Sequence, residues 1–225
     1  MDSVLTIFRI LALADVHGNA KAVSKLLSCL QREKEKPNLV IIAGDLPETT
    51  PIGLMLRYIL THGNLSKTKY TRWVYKEHGR PLFIQRQINS VKVALTLLGS
   101  LEVPIVYVPG NVDCHETLSL IKTVSSPKIH FLNPSAVEFG SIRIIGVGGS
   151  QFSAQRYREP LCDMEIYRDD FLSQLAPLYK IVKRKTSFVD ILLTHEPPAF
   201  RYYTKRGIII GGSKAISDLI THLNP

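Results

Sequence analysis

The stretch that decides the fold is an apolar run ending in a polar cluster: Phe8-Arg9-Ile10-Leu11-Ala12-Leu13-Ala14, then Asp15-Val16-His17-Gly18-Asn19. A short, largely apolar run of this kind predicts a β-strand that is buried on both faces. Residues 19–36 then place apolar side chains at i, i+3 and i+4 spacing, which predicts a helix that ends before Pro37. A buried strand followed by an amphipathic helix is the repeating unit of an α/β protein.

The rest of the chain continues this alternation. Further strands are predicted at 39–43, 104–108, 129–132, 136–139, 142–147 and 189–194. Helices are predicted at 88–101, 118–124, 164–185 and 213–223, the third of them open to a break at Pro177. Residues 47–87 show no clean period, and we expect them to form an insertion.

The composition is that of one folded domain. The chain has 225 residues, of which 45% are hydrophobic and 21% charged, so we expect a single domain over residues 1–225. Three widely spaced cysteines exclude a disulfide scaffold and indicate reduced thiols in a cytoplasmic protein. No run approaches the roughly 18 apolar residues of a membrane span. Asp2 and Arg9 argue against a signal peptide.

The positive charge is concentrated in one segment. Eight Lys and Arg residues lie between Arg57 and Lys92 with Glu77 as the only acid, so this basic segment carries +7 of the net +9. Aromatic residues lie among the bases, namely Tyr58, Tyr70, Trp73, Tyr75 and Phe83. Two interpretations stay open. The segment binds nucleic acid through phosphate contacts and base stacking, or its aromatic residues form a small satellite core beneath a solvated surface.

Polar residues follow four of the predicted strands: Asp15 and His17, then Asp45, then Asn111 and Asp113, and finally His195. In open α/β sheets, ligands bind beyond the carboxyl ends of the strands, so these side chains are candidates for one shared site. Their oxygen and nitrogen atoms are suitable ligands for a divalent metal. Each residue alone also fits a helix cap, a turn or a satisfied polar group, so the interpretation depends on the whole set.

The set resembles the motif series of the calcineurin-like metallophosphoesterases, which is D-x-H, G-D, G-N-H-[DE], H and G-H-x-H. The matches are Asp15-Val16-His17, Gly44-Asp45, Gly110-Asn111-Val112-Asp113 with one change, and His195. The stretches Gly146-Val147-Gly148-Gly149-Ser150 and Gly212-Ser213-Lys214-Ala215 further resemble a branch of small archaeal and bacterial predicted phosphoesterases. The resemblance implies an α/β fold in which a two-sheet β-sandwich is flanked by helices, here without its last strands.

The resemblance also implies two divalent metal ions, with Mn²⁺ foremost and Fe, Zn, Ni or Co as alternatives. Asp15 and His17 would bind the first ion, Asn111 and His195 the second, and Asp45 both. Two such ions hold a hydroxide that attacks the phosphorus of a phosphate ester. By the same resemblance Asp45, Asn111 and Asp113 are catalytic, and Gly110 and Asn111 contact the substrate.

The first departure from the family pattern is Val112. It stands where the family has a histidine that binds phosphate and assists the leaving group, and valine can neither donate a hydrogen bond nor transfer a proton. The change favours phosphodiesters or good leaving groups. His115, three residues further on, is a candidate to replace that histidine in substrate binding.

The second departure is the absence of G-H-x-H, which supplies one further ligand to each ion in the family. No H-x-H occurs in this sequence. We therefore expect the sequence to be a fragment of a longer enzyme. We also expect an uncovered sheet edge at which another chain, or a second copy, can associate.

The function that the sequence favours is metal-dependent hydrolysis of a phosphate ester, and a phosphodiester in particular. A scaffold or interaction module on the same fold is the alternative, because Val112 and the absent last motif both weaken the catalytic pattern. A nuclease or nucleic-acid binder is the third interpretation, and it rests on the basic segment 57–92.

Overall fold

Two β-sheets pack face to face in the computed structural model, which describes residues 7–34, 36–49, 52–77, 79–123, 128–151, 163–166, 168–183, 188–204 and 207–225. The first sheet is parallel and has the order β1-β2-β3-β4, formed by Ile10–Leu13, Leu39–Ala43, Ile105–Val108 and Ile129–Phe131. The second has the order β5-β6-β9, formed by Ser135–Phe139, Ile142–Val147 and Ile191–Thr194. In it, β6 pairs antiparallel with β5 and parallel with β9.

Alternation of side chains along the strands builds the layers. In β2, Leu39 and Ile41 face the second sheet, while Val40 and Ile42 face the helices on the outside. The same period of two places Ile144 of β6 between the sheets and Ile145 against the helices on the other side. Both faces of the central strands β2, β3 and β6 are thus covered, which explains why these strands are nearly continuous apolar runs.

Helices cover the outer face of each sheet. The first sheet carries α1 (Ala20–Arg32), α4 (Arg80–Gly99) and α5 (His115–Thr123), and the second carries α6 (Arg168–Lys183) and α7 (Lys214–Leu223). The α/β class and the two-sheet sandwich predicted from the sequence are confirmed. Among the described helices, none combines the length and apolar character needed to cross a bilayer.

The basic segment folds as helices around a satellite core. The helices α2 (Ile52–His62) and α3 (Lys67–Lys76) pack with the first turns of α4 around a buried aromatic cluster, which comprises Tyr58, Tyr70, Trp73, Tyr75 and Phe83. Trp73 is only 4% exposed, so its ring is not presented for base stacking. The satellite-core interpretation is therefore the one that the structure bears out.

Several boundaries differ from the sequence prediction. The helix predicted at 88–101 begins at Arg80, with Pro81 in its first turn, where a missing N–H does no harm. Gln87 is fully buried on the inward face of this helix, so a polar residue interrupts the apolar period there. Helix α1 ends at Arg32 rather than at residue 36, and Lys34 adopts a left-handed φ of 53°. Pro177 lies inside α6 without ending it.

Four short strands were not predicted. Phe200–Thr204 (β10) and Gly207–Gly211 (β11) form an antiparallel hairpin, and Ser150–Gln151 (β7) pairs with Glu165–Ile166 (β8). An isolated β-bridge joins Pro198, before this hairpin, to Ser213, after it. The segment after β9 therefore lies against the start of α7.

Candidate metal centre

The predicted site residues converge at the carboxyl ends of four strands. Asp15 and His17 follow β1, Asp45 follows β2 and Asn111 follows β3, all from the first sheet. His195 follows β9 and therefore comes from the second sheet. The structure thus brings together all five residues that the sequence analysis assigned as metal ligands.

Unusual backbone conformations turn these side chains toward one another. Asp15, His17 and Asp45 have φ values of 50°, 48° and 51°, in the left-handed region that residues other than glycine seldom occupy. The backbone N–H of His17 donates to the carbonyl of Asp45 at 2.9 Å, and that of Gly18 to Leu46 at 2.9 Å. Such strain persists only where surrounding contacts hold it, and it is frequent at functional sites.

Asp15, His17 and Asp45 form the first group of donors. His17 Nε2 lies 3.6 Å from Asp15 Oδ1 and 4.0 Å from Asp45 Oδ2, and one ligand atom from each residue falls within 4.8 Å of the others. His17 Nδ1 is buried and has no hydrogen-bond partner among the described residues. Two carboxylates and an imidazole at this spacing are a donor set that suits a divalent cation.

His195, Asn111 and Asp45 form the second group. His195 Nδ1 lies 2.8 Å from the carbonyl oxygen of Ala43, which can only accept, so this nitrogen carries the proton. In the neutral ring, Nε2 then presents a lone pair, 2.9 Å from Asn111 Oδ1 and 3.7 Å from Asp45 Oδ2. Three acceptor atoms converge there, and a bound cation satisfies all three.

Asp45 belongs to both groups. The residue is 3% exposed, and burial raises the pKa of its carboxyl group, while His195 and the hydrogen bond from the Val112 N–H act in the opposite direction. Its Oδ2 faces both imidazoles, and its Oδ1 accepts from Val112 N at 3.1 Å. A carboxylate this buried needs a compensating positive charge. The burial and the donor atoms of these residues therefore suit a metal ion.

Two glycines allow the strand ends to approach. A Cβ on Gly44, whose φ is +81°, would lie 2.5 Å from the Gly110 backbone and 2.7 Å from His195 Nδ1. A Cβ on Gly110 would overlap the carboxylate of Asp45. Any larger residue at either position would separate the loops that carry the ligands.

Asp113 lies beneath the site. Its carboxyl is fully buried and accepts hydrogen bonds from the Tyr107 hydroxyl and, at 2.6 Å, from Gly110 N. Burial raises the pKa of Asp113 to about 7, against the hydrogen bond from Tyr107. Asp113 thus holds the Gly110–Asp113 loop from below, and its catalytic role stays a prediction. The N–H of Gly110 is directed at Asp113, and contact of Gly110 with a substrate stays a prediction.

His115 begins α5 and is exposed, and its role in substrate binding stays a prediction. Its backbone N–H donates to Asp163 Oδ2 at 2.9 Å, and Arg80 Nη2 donates to the same oxygen at 3.1 Å. Asp163 therefore joins the starts of α4 and α5. Sequence reasoning missed it because no local pattern marks an isolated acid as the partner of two distant helix starts.

The chain belongs to the calcineurin-like phosphoesterases, since the model of that family matches residues 8–219. Solved structures agree with this fold. One crystal structure aligns with a TM-score of 0.65 at 16% identity over 96% of this chain and 80% of the other. The crystal structure of TT1561 of Thermus thermophilus aligns with a TM-score of 0.57 at 16% identity, covering 98% and 79% of the two chains. A search of curated proteins gave no significant match.

Membership of this family confirms the resemblance derived from the motifs. It carries the expectation of phosphate-ester substrates and divalent metals, and Asp15, His17 and Asp45 form a possible metal-binding site. Structural likeness at 16% identity shows the fold alone, so it adds no assignment of substrate.

We expect Gly44→Ala to disrupt the site more than an equivalent change elsewhere. Both Gly44 and Gly140 have positive φ, but a Cβ on Gly140 meets nothing within 4 Å. Gly140→Ala should cost about 1–2 kcal/mol for the left-handed backbone. Gly44→Ala should cost more and weaken the binding of a divalent metal at least tenfold, as measured by denaturant unfolding and metal titration. Equal effects of the two variants would contradict the close approach.

A second prediction concerns pH and Asp163. Burial alone would raise the pKa of Asp163, but the hydrogen bonds from His115 N and Arg80, with the charge of Arg80, lower it overall. A lowered native pKa stabilises the fold above the unfolded-state value near 4, and the stabilisation disappears as pH falls through the native value. Asp163→Asn should therefore lower the free energy of unfolding by about 1–2 kcal/mol at pH 7 and by progressively less as the pH falls below 4.

The control is Asp218→Asn, which removes an exposed carboxylate that pairs with Lys214 on α7. Exposed pairs of this kind contribute at most a few tenths of a kcal/mol. A pH-independent effect of Asp163→Asn would show that its charge does not hold the two helix starts.

Proposed function

We propose that this chain is a divalent-metal-dependent phosphodiesterase that uses Mn²⁺. Asp15, His17 and Asp45 would hold one ion, and Asp45, Asn111 and His195 a second. The observation that carries the proposal is the position of Asp45 Oδ2, which faces His17 Nε2 at 4.0 Å and His195 Nε2 at 3.7 Å. When bound, such a pair of ions supplies an activated water and neutralises charge on the phosphate.

The chain's own residues support this chemistry by orientation. The Val112 N–H fixes Asp45 Oδ1, so that Oδ2 is left to face both histidines. The Ala43 carbonyl fixes the tautomer and the ring plane of His195. With Asn111 Oδ1 directed at His195 Nε2, the amide nitrogen of Asn111 remains to donate a hydrogen bond to a phosphate oxygen.

The preference for a diester comes from Val112. Its side chain packs against the buried aromatic cluster, so the position that carries a histidine in the family offers no proton to a leaving group. An ester whose leaving group is already a weak base is hydrolysed without such an acid, because that group departs unprotonated. An aryl diester fits this requirement, and it brings one negative charge to the site instead of the two of a monoester.

We expect Asp45→Asn to abolish both Mn²⁺ binding and hydrolysis. Asparagine tolerates the left-handed φ of 51° at this position, so the substitution removes charge without adding backbone strain. Because burial disfavours the ionised carboxylate, the metal-free variant should be at least as stable as the wild type. Mn²⁺ should raise the Tm of the wild type and leave that of the variant unchanged.

In the same assays Asp218→Asn serves as the control and should behave like the wild type. Hydrolysis that survives both chelation and Asp45→Asn would refute the metal-dependent proposal. Mn²⁺ binding without hydrolysis of any ester would favour the scaffold on this fold.

The substrate class is tested by comparing bis(p-nitrophenyl) phosphate with p-nitrophenyl phosphate. We expect kcat/KM to be at least tenfold higher for the diester. Val112→His should reduce this ratio by restoring a proton donor, provided that Mn²⁺ affinity is unchanged. Faster hydrolysis of the monoester by the wild type would contradict the assignment.

A further inference from the structure

One turn of α4 contacts both loops that carry the candidate ligands. Gln87 Nε2 donates to the carbonyl of Val112 at 2.8 Å, and Cys114 N donates to Gln87 Oε1 at 3.2 Å. Ser90 Oγ accepts from Glu48 N at 2.8 Å and donates to the Gln87 carbonyl at 2.8 Å. The loop after β2 and the loop after β3 are thus both fixed to the same turn of the helix.

Gln87 is suited to this contact by its chemistry. Its side chain is fully buried, and a buried amide is costly unless its donor and acceptor are both satisfied. The amide offers one group to a carbonyl and another to an N–H, and the Val112–Cys114 segment presents one of each. An ionised glutamate could accept but not donate, and methionine offers only a weakly accepting sulfur.

The peptide of Val112 is consequently held from three directions. Its N–H donates to Asp45 Oδ1 at 3.1 Å, its carbonyl accepts from Gln87, and its side chain packs on the aromatic cluster. Asn111, the preceding residue, directs its amide at His195. A shift of the Val112 peptide would therefore move Asn111 and release Asp45 together.

We propose that Gln87 is a positioning residue that holds Asp45 and Asn111 in the geometry that binds metal. The proposal rests on the proposed function for the presence of the metal, but it concerns the arrangement of this chain's own groups. By this proposal, α4 controls the metal affinity of the site although it carries none of the ligands. Positioning of this kind matters because ligand groups must be held within a fraction of an ångström.

The test compares Gln87→Met and Gln87→Glu with Gln85→Met. Gln85 lies on the same helix, is exposed, and bonds only to Asn89 at 3.0 Å among the contacts described, so its replacement is a matched control. We expect Mn²⁺ affinity, measured by titration of free Mn²⁺, to fall at least tenfold in both Gln87 variants. It should stay within twofold of wild type in Gln85→Met.

Positioning is separated from a general loss of structure by two further readouts. Circular dichroism at the assay temperature should show folded protein. The Mn²⁺ concentration for half-maximal activity should rise, while KM for the diester at saturating Mn²⁺ stays within twofold of wild type. Folded Gln87 variants that bind Mn²⁺ with wild-type affinity would overturn the proposal.

Should neither Gln87 variant fold, Ser90→Ala decides, since alanine is tolerated within a helix and the change removes the acceptor for Glu48 N and the hydrogen bond to the Gln87 carbonyl. At least threefold weaker Mn²⁺ binding supports the proposal, and unchanged binding overturns it. Because affinity is read without turnover, a wild type that binds Mn²⁺ but hydrolyses no ester would refute the proposed function alone. A wild type that binds no Mn²⁺ would overturn both.

Discussion

The carboxylate of Asp45 is buried between two imidazoles, and this placement constrains the rest of the site. In a medium of low polarity a lone carboxylate is unfavourable, and burial raises its pKa here. Among the described residues, a hydrogen bond reaches only Oδ1, from the Val112 N–H, while Oδ2 faces His17 Nε2 and the acceptor pair of His195 Nε2 and Asn111 Oδ1. Acceptor atoms that converge in this way are stable in a folded protein chiefly when they bind a cation together. The arrangement of the chain's own groups therefore favours a bound metal.

Bringing these acceptors together requires two sheets to meet at one edge. Ligands from the first sheet alone, Asp15, His17, Asp45 and Asn111, would leave the second group without its imidazole. His195 arrives from β9 of the other sheet, and its Nδ1 is fixed by the Ala43 carbonyl at the end of β2. Gly44 and Gly110 make this approach possible by leaving no Cβ between the loops. The geometry of the site therefore depends on the packing of the two sheets against each other.

The amino-acid sequence predicted the layers and the candidate ligands because both leave local signals. Buried strands are short apolar runs, and the polar residues directly after them, such as Asp45 after β2, meet at the sheet edge by topology. Contacts between distant segments leave no such signal. Gln87 interrupts the apolar face of α4, so the pattern placed the start of that helix at residue 88 instead of Arg80. The hydrogen bonds of Asp113 to Tyr107 and Gly110, which hold the loop from below, likewise could not be read from the local pattern.

Val112 links the helices α2 and α3 to the chemistry of the site. Its apolar side chain packs against the aromatic cluster that those helices help to build. The valine offers no proton donor, and its packing contact lies one residue from Asn111. Because Gln87 holds the carbonyl of the same residue, the peptide is fixed by α4 and the side chain by α2 and α3. A loop anchored in this way has little freedom to adapt, so under the proposed function the candidate ligands would act from fixed positions.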